Sequence, residues 1–265
     1  MATIGYCSKN CFRRDIKHMN RILRSFLKRI SPSAQGRVAR HGTATRTTPA
    51  ALDALVQQHF CTLSEEHHPC RPTLHHALAL LQSKPAVILE TGSSAWGTNS
   101  SMLMDAYVNS FGGAFHSVDT RLEPMFSLRQ TCTARSQFHC DDSVAFLKKF
   151  LATPPQAPSG RHFDLIYLDS WDVNWRDLLP SALHGLHEFL SILPALKPGT
   201  LMLVDDTPKD AGVMTRVQPR QLKEFNDFVQ TYGFAPGKGA LIKDYLVRHG
   251  LGREIAHDYQ LLWQF

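Results

Sequence analysis

Hydrophobic and polar positions change their spacing in regular blocks along residues 51–265. Short, mostly apolar runs alternate with longer stretches in which apolar residues recur every three or four positions. The short runs are typical of buried strands and the longer stretches are typical of helices. The pattern predicts strands at residues 86–90, 114–118, 136–140, 162–168, 200–204 and 259–265. It predicts helices at residues 51–60, 73–82, 98–111, 123–135, 143–151, 175–193, 218–232 and 240–249.

This alternation of strands and helices indicates the fold class. Strands that alternate with helices are typical of α/β proteins with a parallel sheet. Because the strands are nearly all apolar, helices should cover both faces of the sheet. We therefore expect a doubly wound, mostly parallel sheet, which binds ligands at the carboxyl ends of its strands.

The first fifty residues differ from the rest. Residues 12–30 place apolar side chains on one helical face and basic side chains on the other, and residues 31–50 have the polar, Pro/Gly-punctuated composition of a linker. We predict a basic amphipathic leader and linker over residues 1–50, and a folded domain over residues 51–265. Such a helix packs on the main domain or a second subunit, lies on an anionic membrane surface, binds RNA, or directs organellar import.

The net charge of +6 is unevenly distributed along the chain. Residues 1–50 carry a balance of +10, whereas residues 51–265 carry a balance of −4. A mildly acidic main domain argues against a basic nucleic-acid groove, so we expect no nucleic-acid partner for it. The longest apolar runs are a few residues long, and a membrane-spanning helix needs about 20.

The cysteines favour a reducing compartment. Six of them are scattered without any C-x-x-C pair, and no secretory signal precedes them. We expect reduced thiols and a cytoplasmic location, with organellar import through the leader as the alternative. Cys61 and Cys70 flank His67 and His68, but the spacing fits no standard zinc site and the neighbouring prolines favour an ordinary loop.

Acidic residues follow the predicted strands. Five strands end at or close to a carboxylate, and these acids are Glu90, Asp119, Asp141, Asp142, Asp169, Asp205 and Asp206. The carboxyl ends of parallel strands meet at one edge of a sheet, so the acids should converge there. This acidic edge is the predicted functional site.

The loop after the first predicted strand suits a nucleotide. It reads E-T-G-S-S-A-W-G over residues 90–97, and glycine lets the backbone turn sharply and approach a ligand. With Asp119 downstream, it half-matches the dinucleotide fingerprint, but Ser94 replaces the second glycine. An NAD(P)-dependent oxidoreductase is therefore one hypothesis, although no Tyr-x-x-x-Lys pair accompanies the loop.

These ordered motifs resemble the class I S-adenosylmethionine-dependent methyltransferases. The likeness covers roughly residues 84–207 and includes the Lys-Pro-Gly turn at 197–199 before the fifth strand. It implies a Rossmann-like domain with a C-terminal strand inserted antiparallel at the edge region of the sheet. It also implies a site for S-adenosyl-L-methionine.

The resemblance implies a role for each matching residue. Gly92, Ser93 and Ser94 would pass under the methionine part of the cofactor, with the Glu90 carboxylate behind them. Asp119 would accept both ribose hydroxyls. Asp142 would accept the adenine amino group, and Ser143 would cap the following helix. A plain helix N-cap also explains both residues.

A second group of acids carries the predicted chemistry. Asp169, Asp205 and Asp206 form an all-oxygen set that suits Mg²⁺ or Ca²⁺, and it resembles the metal site of catechol-type O-methyltransferases. That likeness makes Asp169 a catalytic candidate, and Asp172 stands where the catechol type has a basic lysine. Trp171 and Trp175 either line the acceptor pocket or begin the next helix.

We therefore predict an S-adenosylmethionine-dependent methyltransferase acting on the oxygen of a small or carbohydrate-like hydroxylated acceptor, with metal assistance as one form of the hypothesis. The alternatives are the NAD(P)-dependent oxidoreductase and a non-catalytic scaffold with a methyltransferase-like domain.

Overall fold

The computed structural model describes residues 49–94, 97–152 and 162–265, and a seven-stranded sheet lies at their centre. The strands are β1 (Ala86–Thr91), β2 (Gly113–Asp119), β3 (Ser136–Cys140), β4 (Leu165–Leu168), β5 (Leu201–Val204), β6 (Arg253–His257) and β7 (Leu261–Gln264). Their order in the sheet is β3-β2-β1-β4-β5-β7-β6. The pairs among β1 to β5 are parallel, and β7 runs antiparallel to both of its neighbours.

Helices precede and follow the strands along the chain. They are α1 (Pro49–Thr62), α2 (Arg71–Leu80), α3 (Ser100–Phe111), α4 (Leu122–Thr131), α5 (Ser143–Ala152), α6 (Leu179–Ile192), α7 (Ala211–Val217), α8 (Leu222–Tyr232) and α9 (Ala240–His249). Helices α1, α2 and α3 contribute to one core with alternate strand residues such as Ile88, Phe115 and Leu203. The strand residues that point the other way, such as Leu89 and Ile166, are also buried. Both faces of the sheet are therefore covered, as predicted.

The order of strands and helices from α1 to β5 agrees with the prediction, but the start of one helix before β5 and two features after β5 differ. The predicted helix 175–193 begins at Leu179, with Pro180 in its first turn, where a missing N–H costs nothing. The predicted helix 218–232 begins at Leu222, after a 3-10 turn that starts at Pro219, and a separate α7 precedes it.

The third difference lies at the C-terminus. Strand β6 was not predicted, because its residues Arg253 and Glu254 are exposed and polar and carry no apolar run. Strand β7 is antiparallel, as the resemblance implies, and it lies between β5 and β6 rather than as the last strand.

The predicted leader at residues 1–50 lies outside the described residues, except that Pro49 and Ala50 begin α1. Among the described residues, no helix is long and apolar enough to cross a membrane.

Candidate functional site

The loop after β1 lies directly against the end of β4. Gly92 has φ +80°, and a Cβ atom there would stand 2.4 Å from the carbonyl oxygen of Asp169. Its N–H donates to the carbonyl of Val118 at the end of β2 (2.9 Å). Only glycine satisfies both the positive φ and the close approach, so residue 92 fixes the loop at the junction of β1, β2 and β4. This is the point where the strand order reverses.

The buried side chain of Glu90 fixes the position of this loop. Its side chain is fully buried, and its carboxylate accepts hydrogen bonds from the hydroxyls of Ser100 (2.5 Å), Ser101 (2.5 Å) and Ser117 (2.7 Å). Burial raises the pKa of Glu90 to about 7, although the three hydroxyls favour the charged form. The Ser101 hydroxyl also accepts from the N–H of Ser94 (2.9 Å), so Glu90 connects the loop to the start of α3.

Asp119, at the end of β2, lies beside the same loop. The N–H of Ser93 donates to its carboxylate (2.8 Å), and the Arg121 guanidinium forms a salt bridge with it (2.6 Å). Although burial opposes ionisation, these donors hold the pKa of Asp119 below its usual range. Arg121 also donates to the carbonyl of Ser93 (2.7 Å). Arg121 was not predicted to lie in the site, and its one signal in the sequence is its position two residues after a strand-end acid.

Asp142 and Ser143 begin α5. The Asp142 carboxylate accepts from the N–H of Ala145 (2.8 Å), so Asp142 caps the helix as the plain N-cap interpretation holds. Its side chain is exposed at this edge of the sheet. Ser143 is buried, and its hydroxyl contacts Nε2 of His184 (3.1 Å). The predicted cap is therefore Asp142 and not Ser143, and the role of Asp142 toward adenine stays a prediction.

The three aspartates after β4 and β5 converge as predicted. Asp169, Asp205 and Asp206 each place a carboxylate oxygen within 4.8 Å of the others. We call these three residues the acid cluster. A buried lysine that was not predicted lies among them: Nζ of Lys238 is 2.6 Å from Oδ1 of Asp169 and 3.1 Å from Oδ2 of Asp206.

The charged groups of the acid cluster shift one another's pKa values. Burial and the neighbouring Asp205 carboxylate raise the pKa of Asp169 well above its ordinary value. Burial opposes ionisation of Asp205 too, but Lys238 and the donors around Asp205 hold its pKa below the usual range. The carboxylates more than offset the burial of Lys238, so its pKa lies well above the ordinary value and the ammonium keeps its charge.

Neutral donors occupy other oxygens of the acid cluster. Asp205 accepts from the side-chain amide of Gln260 (2.7 Å) and the thiol of Cys70 (3.3 Å). Asp206 accepts from the hydroxyl of Tyr259 (2.7 Å). Two of these donors come from the turn between β6 and β7, a hairpin that the apolar pattern does not predict.

The acid cluster was the predicted metal site. Three carboxylates form the donor set that Mg²⁺ prefers, but an ammonium group already lies among them and neutral donors hold further oxygens. The residues in this arrangement do not fit an additional divalent cation. The zinc alternative gains no support in the described part of the chain, because the acid cluster is the one group there of three or more metal-ligating side chains and it contains neither Cys61 nor Cys70.

Asp172, Trp171 and Trp175 lie in the irregular segment before α6. The Asp172 and Trp171 side chains are exposed, and the Trp171 ring packs against His184 with 5.1 Å between ring centroids. The alternative that the tryptophans begin the next helix is wrong, because α6 starts at Leu179. Their role at an acceptor pocket stays a prediction, as does the catalytic role of Asp172.

Comparison with solved structures finds proteins of similar fold, whereas the sequence comparisons find no match. No protein-family model matches the sequence, and no curated protein sequence matches it. The MycE methyltransferase from the mycinamycin biosynthetic pathway, solved with Mg and SAH, is similar over 80% of this chain at 15% identity and a TM-score of 0.50. The matched region is 54% of MycE, so this chain spans about half of that protein's length.

A fungal protein aligns over the full length. The SAH-bound methyltransferase PaMTH1 of Podospora anserina covers 100% of this chain and 99% of its own, with 11% identity and a TM-score of 0.45. At such identities the likeness concerns the fold. The sheet order and the likeness to MycE together show that the described residues have the methyltransferase-like fold that the sequence resemblance implies.

Proposed function

We propose that this protein is an enzyme that transfers a methyl group from S-adenosyl-L-methionine to a hydroxyl oxygen of a small or carbohydrate-like acceptor. One observation carries the proposal. The Gly92 loop and the Asp119 carboxylate are joined by the hydrogen bond from Ser93, at the point where strand order reverses. A nucleoside bound there has a close backbone approach on one side and a ribose-binding carboxylate on the other.

Each side of the cofactor site has its own residues. Residues Gly92, Ser93 and Ser94 support the methionine part, with Glu90 fixing the loop behind them. The Asp119 carboxylate accepts the ribose hydroxyls, which requires the Arg121 side chain to withdraw from it because Arg121 now holds both oxygens. The Arg121 side chain is 60% exposed, so solvent can receive it.

The acid cluster is the proposed acceptor site. It adjoins the Gly92 loop, since the backbone of Asp169 contacts Gly92. Methyl transfer forms the acceptor O–CH₃ bond, breaks the cofactor S–CH₃ bond and releases the hydroxyl proton to a base. Asp169 is the proposed base, and exposed Asp172 is the second candidate. Several carboxylates at one edge suit an acceptor with several hydroxyl donors, which is why we favour a phenolic or sugar-like molecule.

The metal-assisted form of the hypothesis requires a rearrangement. Asp169, Asp205 and Asp206 would hold Mg²⁺ only after the Lys238 side chain left the acid cluster. The reaction proposed above uses a carboxylate of this chain as its base.

Methyl transfer from labelled S-adenosylmethionine to panels of phenols and sugars tests the proposal. For an acceptor that is methylated, Asp169→Asn should lower kcat by roughly 100-fold or more, because an amide cannot take the proton. Binding of S-adenosylhomocysteine should persist in that variant. Asp177→Asn, at an exposed position in the same segment, is the matched control and should keep normal turnover. Full turnover in Asp169→Asn would exclude Asp169 as the base.

A further inference from the structure

We infer that the Lys238 ammonium group is the resident cation of the acid cluster and takes the position that a divalent metal ion would otherwise occupy. Lys238 contacts Asp169 and Asp206 at salt-bridge distance, and the residue is 2% exposed. Its Nζ also donates to the carbonyl of Asp169 (3.2 Å). The ammonium group is therefore buried between the Asp169 and Asp206 carboxylates.

The backbone around Lys238 is built to hold it there. The N–H of Lys238 donates to the carbonyl of Asp206 (3.1 Å). A Cβ on Gly237 would lie 2.2 Å from that same carbonyl oxygen, so the chain approaches β5 closely at this point. Across the loop, a Cβ on Gly185 of α6 would lie 2.5 Å from the Lys238 carbonyl. Two glycines therefore allow this lysine to enter from the loop before α9.

The hydrogen bonds of the acid cluster are arranged around a monovalent cation. Lys238 lies between Oδ1 of Asp169 and Oδ2 of Asp206. The neutral groups of Gln260 and Cys70 donate to Oδ1 of Asp205, and the Tyr259 hydroxyl donates to Oδ1 of Asp206. A divalent ion would have to displace several of these donors and would repel the adjacent ammonium. The acid cluster therefore has its cation within the chain.

Lys238 is a positioning residue in this account. It orients the Asp169 and Asp206 carboxylates and reduces the repulsion between them. If the proposed function holds, Lys238 also reduces the electrostatic cost of the negative charge that develops on the acceptor oxygen. This last step rests on the proposed methyl transfer, whereas the cation assignment does not.

The assignment makes an unusual prediction: removing the lysine should create a metal site. In Lys238→Met the acid cluster loses its positive charge but keeps its three carboxylates. We expect that variant to bind one Mn²⁺ at least roughly tenfold more tightly than the wild-type chain, since the repelling ammonium is gone. Electron paramagnetic resonance and titration calorimetry with Mn²⁺ on the full chain measure this directly.

Two further variants locate the bound ion. Adding Asp206→Asn to Lys238→Met removes one ligand and should abolish the gained Mn²⁺ site. Lys197 is an exposed lysine that precedes the N-terminal end of β5, whereas the acid cluster follows the C-terminal end. Lys197→Met should therefore bind Mn²⁺ no better than the wild type. Circular dichroism establishes that each variant is folded.

Two outcomes would overturn the inference. One is a wild-type chain that binds one Mn²⁺ and loses that binding in Asp206→Asn; because both proteins keep Lys238, this comparison decides the matter even if Lys238→Met does not fold. The other is a folded Lys238→Met that gains no site. Titration with S-adenosylhomocysteine in the same samples keeps the two proposals apart, because failure to bind it would remove the methyltransferase proposal and leave the cation assignment standing.

Discussion

At the scale of single residues, the site depends on close contacts that only particular side chains permit. Gly92 brings the β1 loop against Asp169, and Glu90 fixes the same loop through three serine hydroxyls. The acids of this edge could be predicted because each follows an apolar run in the sequence. Arg121 had only its position two residues after Asp119 as a signal. Lys238 had none, because a loop lysine becomes a partner of Asp169 only after the chain has folded back across 69 residues.

Replacing Gly92 tests the close approach. Gly92→Ala meets both a strained φ and a backbone clash, whereas Gly233→Ala has the same φ of +80° with no atom within 4 Å of the new Cβ. The strain alone should cost about 1–2 kcal/mol, and the clash should cost Gly92→Ala roughly 1–3 kcal/mol more. Urea unfolding of the two variants measures the difference. Equal losses of stability would mean that the loop does not lie against β4.

The raised pKa of Glu90 makes a pH prediction. Its folded pKa of about 7 exceeds the ordinary value of 4.5, so the folded chain binds more protons than the unfolded chain between those values. Stability contributed by Glu90 should therefore be present below about pH 4.5 and fall as pH rises to about 7, by roughly 3 kcal/mol in total.

Glu90→Gln isolates this contribution. The amide does not titrate, so the variant should gain stability relative to the wild type as pH rises from 4.5 to 7.5. Glu66→Gln, at an exposed position, is the control and should follow the wild type. Parallel pH profiles for Glu90→Gln and the wild type, measured by urea unfolding, would contradict the assigned pKa.

At the scale of elements, the central strands were predictable from the sequence. Of the two strands of the C-terminal hairpin, β7 was predicted and β6 was not. Strands β4 and β5 are buried at every position and therefore stand out as apolar runs. Strand β6 is an edge strand with exposed charged residues, so periodicity gives no signal for it. Because β6 pairs with β7, β7 lies inside the sheet and not at its edge. A single sequence does not show which strands pair with each other.

Leu262 tests the interior position of β7. Its side chain is fully buried in the core that includes Leu74 and Leu203. Leu262→Ala should therefore destabilise the chain by about 2–5 kcal/mol, while Leu80→Ala, at the partly exposed end of α2, should cost much less. Guanidinium unfolding compares the two, and similar small losses would indicate that β7 is peripheral.

At the scale of the whole molecule, the fold brings acids from five separate strand ends to one edge. Residues that are far apart in sequence, such as Glu90, Asp119 and Asp169, meet there because the strands are parallel. The parallel sheet followed from the alternation of elements, so the convergence of these acids at one edge was predictable. Its electrostatics were not, because they depend on how Arg121 and Lys238 pair with the acids.

The same scale contains the central claim, that the Asp119 edge of the sheet binds a nucleoside of the S-adenosyl type. The most direct test is isothermal titration of the full chain with S-adenosylhomocysteine and, separately, with NADH. We predict micromolar binding of S-adenosylhomocysteine and none of NADH. Asp119→Ala should weaken binding by roughly tenfold or more, since charge-assisted hydrogen bonds to the ribose are lost. Asp227→Ala, an exposed aspartate on α8, should bind as the wild type does. Binding of NADH alone, or S-adenosylhomocysteine binding that is unchanged in Asp119→Ala, would contradict the account.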